Sequence, residues 1–367
     1  VVTNEQVMDA LKKVMDPELH RNIVDLGMVR EVAVKGKSVR VTIALTVANC
    51  PLQDSIATDA AKTVEALEPD LHVEVLLRAM TDEERRQLQQ RMQGARSQEP
   101  VSPAAQLNRV RTVIAVMSGK GGVGKSTVSV LLAVALRHKG LRVGILDADI
   151  TGPSIPRLLG VHDAPEMSPL GIMPPSSEGG IKLMSINLML PSEDEAVIWR
   201  GPMINSAIQQ FWADVFWGDL DVLLVDMPPG TSDPALAVMQ NLPLAGIILV
   251  TSPQELAEMV VRKAAKMAYH MKMPVLGVVE NMSYAICSHC GQPMEIFGPG
   301  RTETMGVVFG APLLARLPID PVMTRLADEG RIEEYVTPAE FEPVVAMAAD
   351  KIASMPDPNA HEKHPAA

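Results

Sequence analysis

The stretch "VIAVMSGKGGVGKSTVSVLLAVAL" (residues 113–136) constrains the fold more than any other part of this chain. An apolar run stops at a glycine-rich loop, and the loop opens into a second apolar run of helical character. Gly-x-x-x-x-Gly-Lys-Ser/Thr between a strand and a helix is a phosphate cradle. Gly119 opens it, and Gly121, Gly122 and Gly124 let the backbone fold tightly enough to turn its N–H groups inward. Lys125 then lies against the β- and γ-phosphates, Ser126 offers its hydroxyl to Mg2+, and the helix N-terminus adds its dipole. The nucleotide-contacting set is therefore Gly119, Gly121, Gly122, Val123, Gly124, Lys125, Ser126 and Thr127. A second lysine, Lys120, stands at the front of the loop, and the phosphate pattern does not require it.

The sequence after 109 repeats the same alternation. "LRVGILDAD", "DLDVLLVDMPP", "LAGIILVTSP" and "MPVLGVVENMS" are apolar without strict alternation, so they read as strands buried on both faces. With helices between them they predict an α/β fold, a P-loop domain with a doubly wound, mostly parallel sheet over 109–355. In the helix "PQELAEMVVRKAAKMAYHMK", Met259, Met267 and Met271 fall on one face and read as core packing rather than a soft-metal site. The tail 356–367 is expected to be disordered, and His361 and His364 within it read first as tail residues, not ligands.

Residues 1–80 predict a small α+β domain. Val7, Leu11 and Val14 mark one helical face with Asn4 as its cap; "VREVAVKGKSVRVTIALTV" is a hairpin turning at "KGKS"; a second helix and the strand "LHVEVLLR" follow. The segment 81–108 is rich in Gln, Arg, Ser and Pro and reads as a linker with a helical first half. The alternative for that first half is one more surface helix of the small domain.

Composition excludes several partners. The chain is 47% hydrophobic, yet no run approaches the roughly twenty apolar residues of a membrane span. "VVTNEQVMDALKK" has no basic flank before an apolar core, so no signal peptide is expected. A formal charge of −11 disfavours nucleic acid and anionic membranes as partners. The three cysteines, Cys50, Cys287 and Cys290, fit a reducing cytoplasm in which thiols are kept for chemistry.

Those thiols and three carboxylates are the remaining chemistry. Asp226 ends a buried strand, where a carboxylate is costly unless it serves a cation or its water shell. Asp147 and Asp149 in "ILDADITGPS" end a neighbouring strand; one suits water positioning in hydrolysis, and Asp147 equally suits capping the next turn. "CSHC" offers two soft ligands, followed by Gly291 for a tight turn. An iron–sulfur cluster, zinc or a redox pair all remain open from that spacing. Sites of the first two kinds take about four ligands, and two copies of Cys287 and Cys290 at a two-fold axis would supply them. At this spacing the ring of His289 points away. Cys50, between a strand and a helix start, is either a thiolate favoured by the helix dipole or a small buried residue.

"KGGVGKST", "LDADITGPS", "VDMPPGTSD" and "ENMSYAICSHCG", in that order, resemble the Mrp/ApbC family of P-loop ATPases over about residues 108–340. The resemblance implies an ATP-hydrolysing carrier that holds a labile 4Fe-4S cluster across a homodimer on Cys287 and Cys290. Such carriers pass the cluster to apo iron–sulfur proteins and work with cluster scaffold proteins. It further implies that Lys120 reaches the partner's nucleotide, that Asp149 activates water, that Asp226 serves Mg2+ and that Asn281 bonds the adenine. "PPGTSD", with Asp233, would sense the γ-phosphate. Thr151 departs from the pattern, replacing an aromatic. Residues 3–80 resemble the small domain of iron–sulfur assembly factors, in which Cys50 would be functional. Two other readings stand beside this one: a ParA- or MinD-like positioning ATPase whose thiols hold structural zinc, and an electron-transfer ATPase like the nitrogenase iron protein.

Overall fold

The computed structural model describes residues 2–16, 21–45, 53–81, 83–84, 87–88, 102–150, 152–190, 201–298 and 310–358. The chain divides into two compact units, Val1–Pro100 and Val101–Ala367.

In the smaller unit, α1 (Asn4–Leu11) buries Val7 and Leu11. Its cap is Thr3 and not Asn4. The Thr3 hydroxyl accepts from the Gln6 N–H, and the Gln6 side chain accepts from the Thr3 N–H, a reciprocal pair that Asn4 cannot form one residue later. Strands β1 (Val29–Lys35) and β2 (Ser38–Leu45) form the hairpin, with Lys35 opposite Ser38 and Gly36 at φ +61 in the turn. α2 (Gln53–Glu65) crosses over to β3 (His72–Ala79), which runs parallel to β2. Val39, Val41 and Ile43 alternate inward from β2 and are fully buried. Cys50 lies outside the described residues.

The expected linker is narrower than its composition implies. Met80 and Leu88 join the core of the small unit. Glu84 is held by two bonds from Arg78 at 2.7 and 2.5 Å and by the Thr81 N–H at 2.8 Å. The Arg78 guanidinium draws the Glu84 carboxyl down to about 2. At the other end, Ser102 donates to the Ala213 carbonyl and Asn108 bridges Val215 and Gly218. One buried leucine and two polar clasps thus anchor the flanks of 81–108 that a polar composition hides.

In the larger unit, β4 (Val113–Ser118) leads through the glycine loop to α3 (Lys125–His138) and β5 (Val143–Asp147). There follow β6 (Lys182–Ser185), α4 (Gly201–Ala213), β7 (Val222–Asp226), α5 (Asp233–Asn241) and β8 (Gly246–Thr251). The unit continues with α6 (Glu255–His270), β9 (Val275–Ile286), β10 (Pro293–Met294), β11 (Leu313–Ile319), α7 (Pro321–Asp328) and α8 (Glu342–Ser354). The eight-stranded sheet runs β6-β5-β7-β4-β8-β9-β10, with β11 also on β9. Only β9 and β10 pair antiparallel.

Successive residues of β4 serve opposite faces. Ile114 and Val116 pack with α3 and α8, whereas Val113, Ala115 and Met117 pack with α4, α5 and α6. That is the doubly wound arrangement, and it explains why the strands carry no polar face. Met267 and Met271 pack against the second of these clusters; the Met259 side chain, His361 and His364 lie outside the described residues. Among the described residues no helix is long and apolar enough to cross a membrane.

Candidate functional site

Strand order reverses around β4, and the carboxyl ends of β4, β5 and β7 open at the crevice this creates. The glycine loop lies there. Gly122 and Gly124 adopt φ +77 and +80, and a Cβ on Gly124 would fall 2.1 Å from Asn281 Nδ2. At Gly121 and Gly122 a Cβ would meet nothing within 4 Å. α3 begins after Gly124 without a side-chain cap, so its first N–H groups face the concavity of the loop.

Lys125 is 6% exposed. Its Nζ lies 2.6 Å from Asp226 Oδ2 and 3.8 Å from Asp149 Oδ2. Asp226, wholly buried, also accepts from Ser126 Oγ at 2.7 Å and Ser129 Oγ at 2.7 Å. A buried carboxylate persists only when charge and hydrogen bonds satisfy it in this way. Asp147 is the second buried carboxyl. It accepts from the N–H groups of Asp149 and Ile155 at 3.2 and 3.4 Å and from Ser185 Oγ at 3.2 Å. Burial, and then the neighbouring Asp226, push Asp147 up to about 8, and its accepted bonds cap the turn after β5.

The other nominated residues surround this cluster. Asn281, 3% exposed, donates to the Val123 carbonyl at 3.0 Å. Thr127 is half-buried in the first turn of α3. Lys120 lies at the rim and donates to the Gln254 side chain, just before α6. Ser118 Oγ donates to the Lys120 carbonyl at 3.0 Å, and the Gly230 N–H donates to the Ser118 carbonyl at 2.9 Å. The "PPGTSD" segment therefore touches the base of the loop through Gly230, while Asp233 is exposed at the start of α5. Thr151 lies outside the described residues. Sequence reasoning missed Ser129, Ser185 and Gln254. Ser129 had a readable signal, because it stands one helical turn beyond Lys125 and shares its face.

Cys287 and Cys290 form a second site. β9 continues past Asn281 and turns back into β10, with Ala285 opposite Met294 and Ile286 opposite Pro293. The Cys287 N–H donates to the Gln292 carbonyl, and the Gly291 N–H to the Cys287 carbonyl, both at 2.9 Å. Gly291 takes φ +70 to close the turn. Backbone N–H groups of Cys290 and then His289 aim at the Cys287 sulfur and draw its thiol below the ordinary value of 9.0. Both thiols are free, Cys290 is exposed, and His289 is exposed. Among the described residues no third His, Cys, Asp or Glu joins a metal-holding group. Ile286, Met294, Ile296 and Phe297 are 53%, 44%, 52% and 40% exposed, an apolar rim along the same hairpin.

Residues 109–353 match the family described as NUBPL iron-transfer P-loop NTPase, and residues 4–77 match one described as iron-sulfur cluster assembly protein. A Mycobacterium tuberculosis protein named iron-sulfur cluster carrier protein is 43% identical over 334 residues, 89% of this chain and 87% of its own length. A Methanocaldococcus jannaschii protein of the same name is 43% identical over 251 residues, 67% of this chain and 87% of its own length. A solved nucleotide-binding protein from Archaeoglobus fulgidus, in complex with ADP, is 43% identical with a TM-score of 0.59, covering 66% of this chain and 97% of its own.

Proposed function

The chain belongs to the NUBPL iron-transfer P-loop NTPase family, and from that premise we propose that it carries a 4Fe-4S cluster on paired thiols under the control of ATP. The observation that carries the reading is the pair Cys287 and Cys290, presented at a hairpin tip with N–H groups aimed at sulfur and no further ligand among the described residues. Two thiols are half of the usual ligand set, so a second copy completes the cage. The apolar rim beside them supplies surface for that copy. The relatives named as cluster carriers point the same way.

The loop suits a Mg2+-bound nucleotide on its own chemistry. A hydroxyl and a carboxylate, Ser126 and Asp226, already lie 2.7 Å apart as a hard-oxygen pair. An uncapped helix start and an ammonium stand beside them. ATP, when bound, supplies the phosphoryl group for transfer to water. Lys125 exchanges its bond to Asp226 for the β- and γ-phosphate oxygens; Asp226 and Ser126 would hold Mg2+, which would supply charge to offset that of the phosphates. Asp149, tethered through its own N–H to Asp147, orients the attacking water. Asn281 bonds the base. Lys120 leaves Gln254 and reaches the partner's phosphates, so that charge stabilisation is completed only in the closed pair. Hydrolysis then alters the pairing of protomers and with it the hold on the cargo.

Anaerobic reconstitution with iron and sulfide tests this. The expected product is brown, dimeric and holds about four irons per dimer; Cys287→Ala loses the colour. A colourless protein with one zinc per dimer would instead favour the positioning-ATPase reading.

A further inference from the structure

Glu280, Asn281, Met282 and Ser283 form an irregularity in the middle of β9. Opposite β11, Glu280 faces Arg316 and Tyr284 faces Pro318, so four steps on β9 are matched by two on its neighbour. The two extra residues make a bulge. Met282 within it adopts φ +57, a left-handed backbone that a residue with a Cβ takes only when its surroundings impose it. Those surroundings are specific. Glu280 is fully buried, receives Arg316 Nε at 2.9 Å from the facing strand and Ser283 Oγ at 2.8 Å from across the bulge. The same hydroxyl lies 2.8 Å from the Glu280 carbonyl.

Bulges re-aim side chains, and this one turns Asn281 onto the glycine loop, against the Val123 carbonyl and the Cα of Gly124. Beyond the bulge, Tyr284 and Ala285 regain pairing with β11 and the strand enters the thiol hairpin. Five residues separate Asn281 from Cys287 along the chain. The strand that touches the phosphate loop is therefore the strand that carries the sulfurs, with one buried clasp between them.

We propose that this bulge is the joint through which nucleotide occupancy of the loop reaches Cys287 and Cys290, with Glu280, Ser283 and Arg316 as positioning residues. It rests on the reading that the loop holds ATP and the hairpin holds the cargo. A nucleotide that bonds Asn281 competes with the Val123 carbonyl for its amide. The resulting shift is passed on because Glu280 clamps both ends of the bulge, and stiff pairing on either side leaves no slack to absorb it. Without the clasp, the bulge absorbs the shift locally.

The test needs no iron. Alkylation of Cys287 by iodoacetamide, followed on its own peptide in the reduced full chain, is compared with and without a non-hydrolysable ATP analogue and Mg2+. In the unmodified protein the analogue changes the rate at least about fivefold, the lower end of ordinary coupling between sites. In Glu280→Gln and in Ser283→Ala the change falls below about 1.5-fold, while affinity for the analogue stays within about threefold. Ser283→Ala removes one hydroxyl only and carries the test if Glu280→Gln, which places a buried amide beside the half-buried Arg316, fails to fold. The proposal is overturned if either folded variant keeps the full response, or if the unmodified thiols ignore bound analogue. A failure of cluster carriage is a separate result, a colourless reconstituted protein in which the thiol response persists.

Discussion

Two sites on one sheet are built to opposite plans. At the phosphate loop, Lys125 and Asp226 meet at 2.6 Å behind a surface that leaves 6% and none of them exposed, and two serine hydroxyls complete the carboxylate. At the thiol hairpin, Cys290 is exposed, Cys287 takes its support from backbone N–H groups, and exposed Ile286 and Met294 stand on the two strands beside the turn. The first site can satisfy its own buried charges within one chain because a strand end, a helix start and a second strand end converge there. The second lies at the turn between β9 and β10. As the proposed cargo site it gains from that exposure: ligands at a turn can be shared and then surrendered.

The comparison breaks first at Lys125. Lys125→Ala should lower ATP hydrolysis by about 10²–10³-fold, the range seen when one charge-stabilising donor is lost. Phosphate release measures it, and iron loading of Cys287 and Cys290 should stay within about twofold if the two sites are independently built. Equal loss of both would show that the hairpin needs the pocket to exist.

Gly124→Ala sharpens the contrast from the packing side. Its φ of +80 and the 2.1 Å approach to Asn281 Nδ2 leave no room for a methyl group. A destabilisation of about 1–3 kcal/mol is expected in denaturant unfolding. The same change at Gly121, where a Cβ meets nothing within 4 Å, should cost less.

Asp147 gives the pocket a pH signature. Its folded value near 8 lies above its ordinary 3.8, so between these values the folded state binds more protons than the unfolded one. Stability from this group is therefore greatest at the acidic end and declines as pH rises from 3.8 towards 8. Asp147→Asn, which cannot ionise, should flatten that decline in melting curves taken across the window. A slope unchanged by the substitution would remove Asp147 as its cause.

The hairpin responds in the other direction and more gently. Backbone N–H groups lower the Cys287 thiol, so its contribution to stability is present above the ordinary 9.0 and lost as pH falls through the depressed value. The alkylation rate of Cys287 should reach half its maximum below pH 9.0. His289→Ala keeps the backbone donor and should leave that midpoint in place, whereas His289→Pro deletes the donor and should raise it. Identical midpoints would mean that the His289 N–H does not reach the sulfur.

Legibility also differed between the two kinds of feature. The unalternating apolar strands announced a sheet covered on both faces, and the helix after Gly124 followed from the strand–loop–helix pattern of the phosphate cradle. The linker was less readable, because Leu88 and Glu84 sit in a polar stretch and show their roles only against Met80 and Arg78. The cap of α1 lies one residue before the expected one, since Thr3 and Asn4 are both good caps and only the return bond from Gln6 separates them. Ser185 and Gln254 were out of reach: each meets its partner from a strand or loop distant in sequence.

By itself the sequence determined the local conformations that a few residue types permit: glycines at positive φ in the loop, buried runs as strands, two thiols one turn apart. Those follow from sterics and hydrophobic burial, which act over a handful of neighbours. Only the tertiary structure decided which carboxylate Lys125 pairs with, that burial raises the Asp147 carboxyl, and that β9 bulges at Asn281 under the clasp of Glu280 and Arg316. These depend on strand register and on burial of charge, and both are properties of segments brought together from far apart.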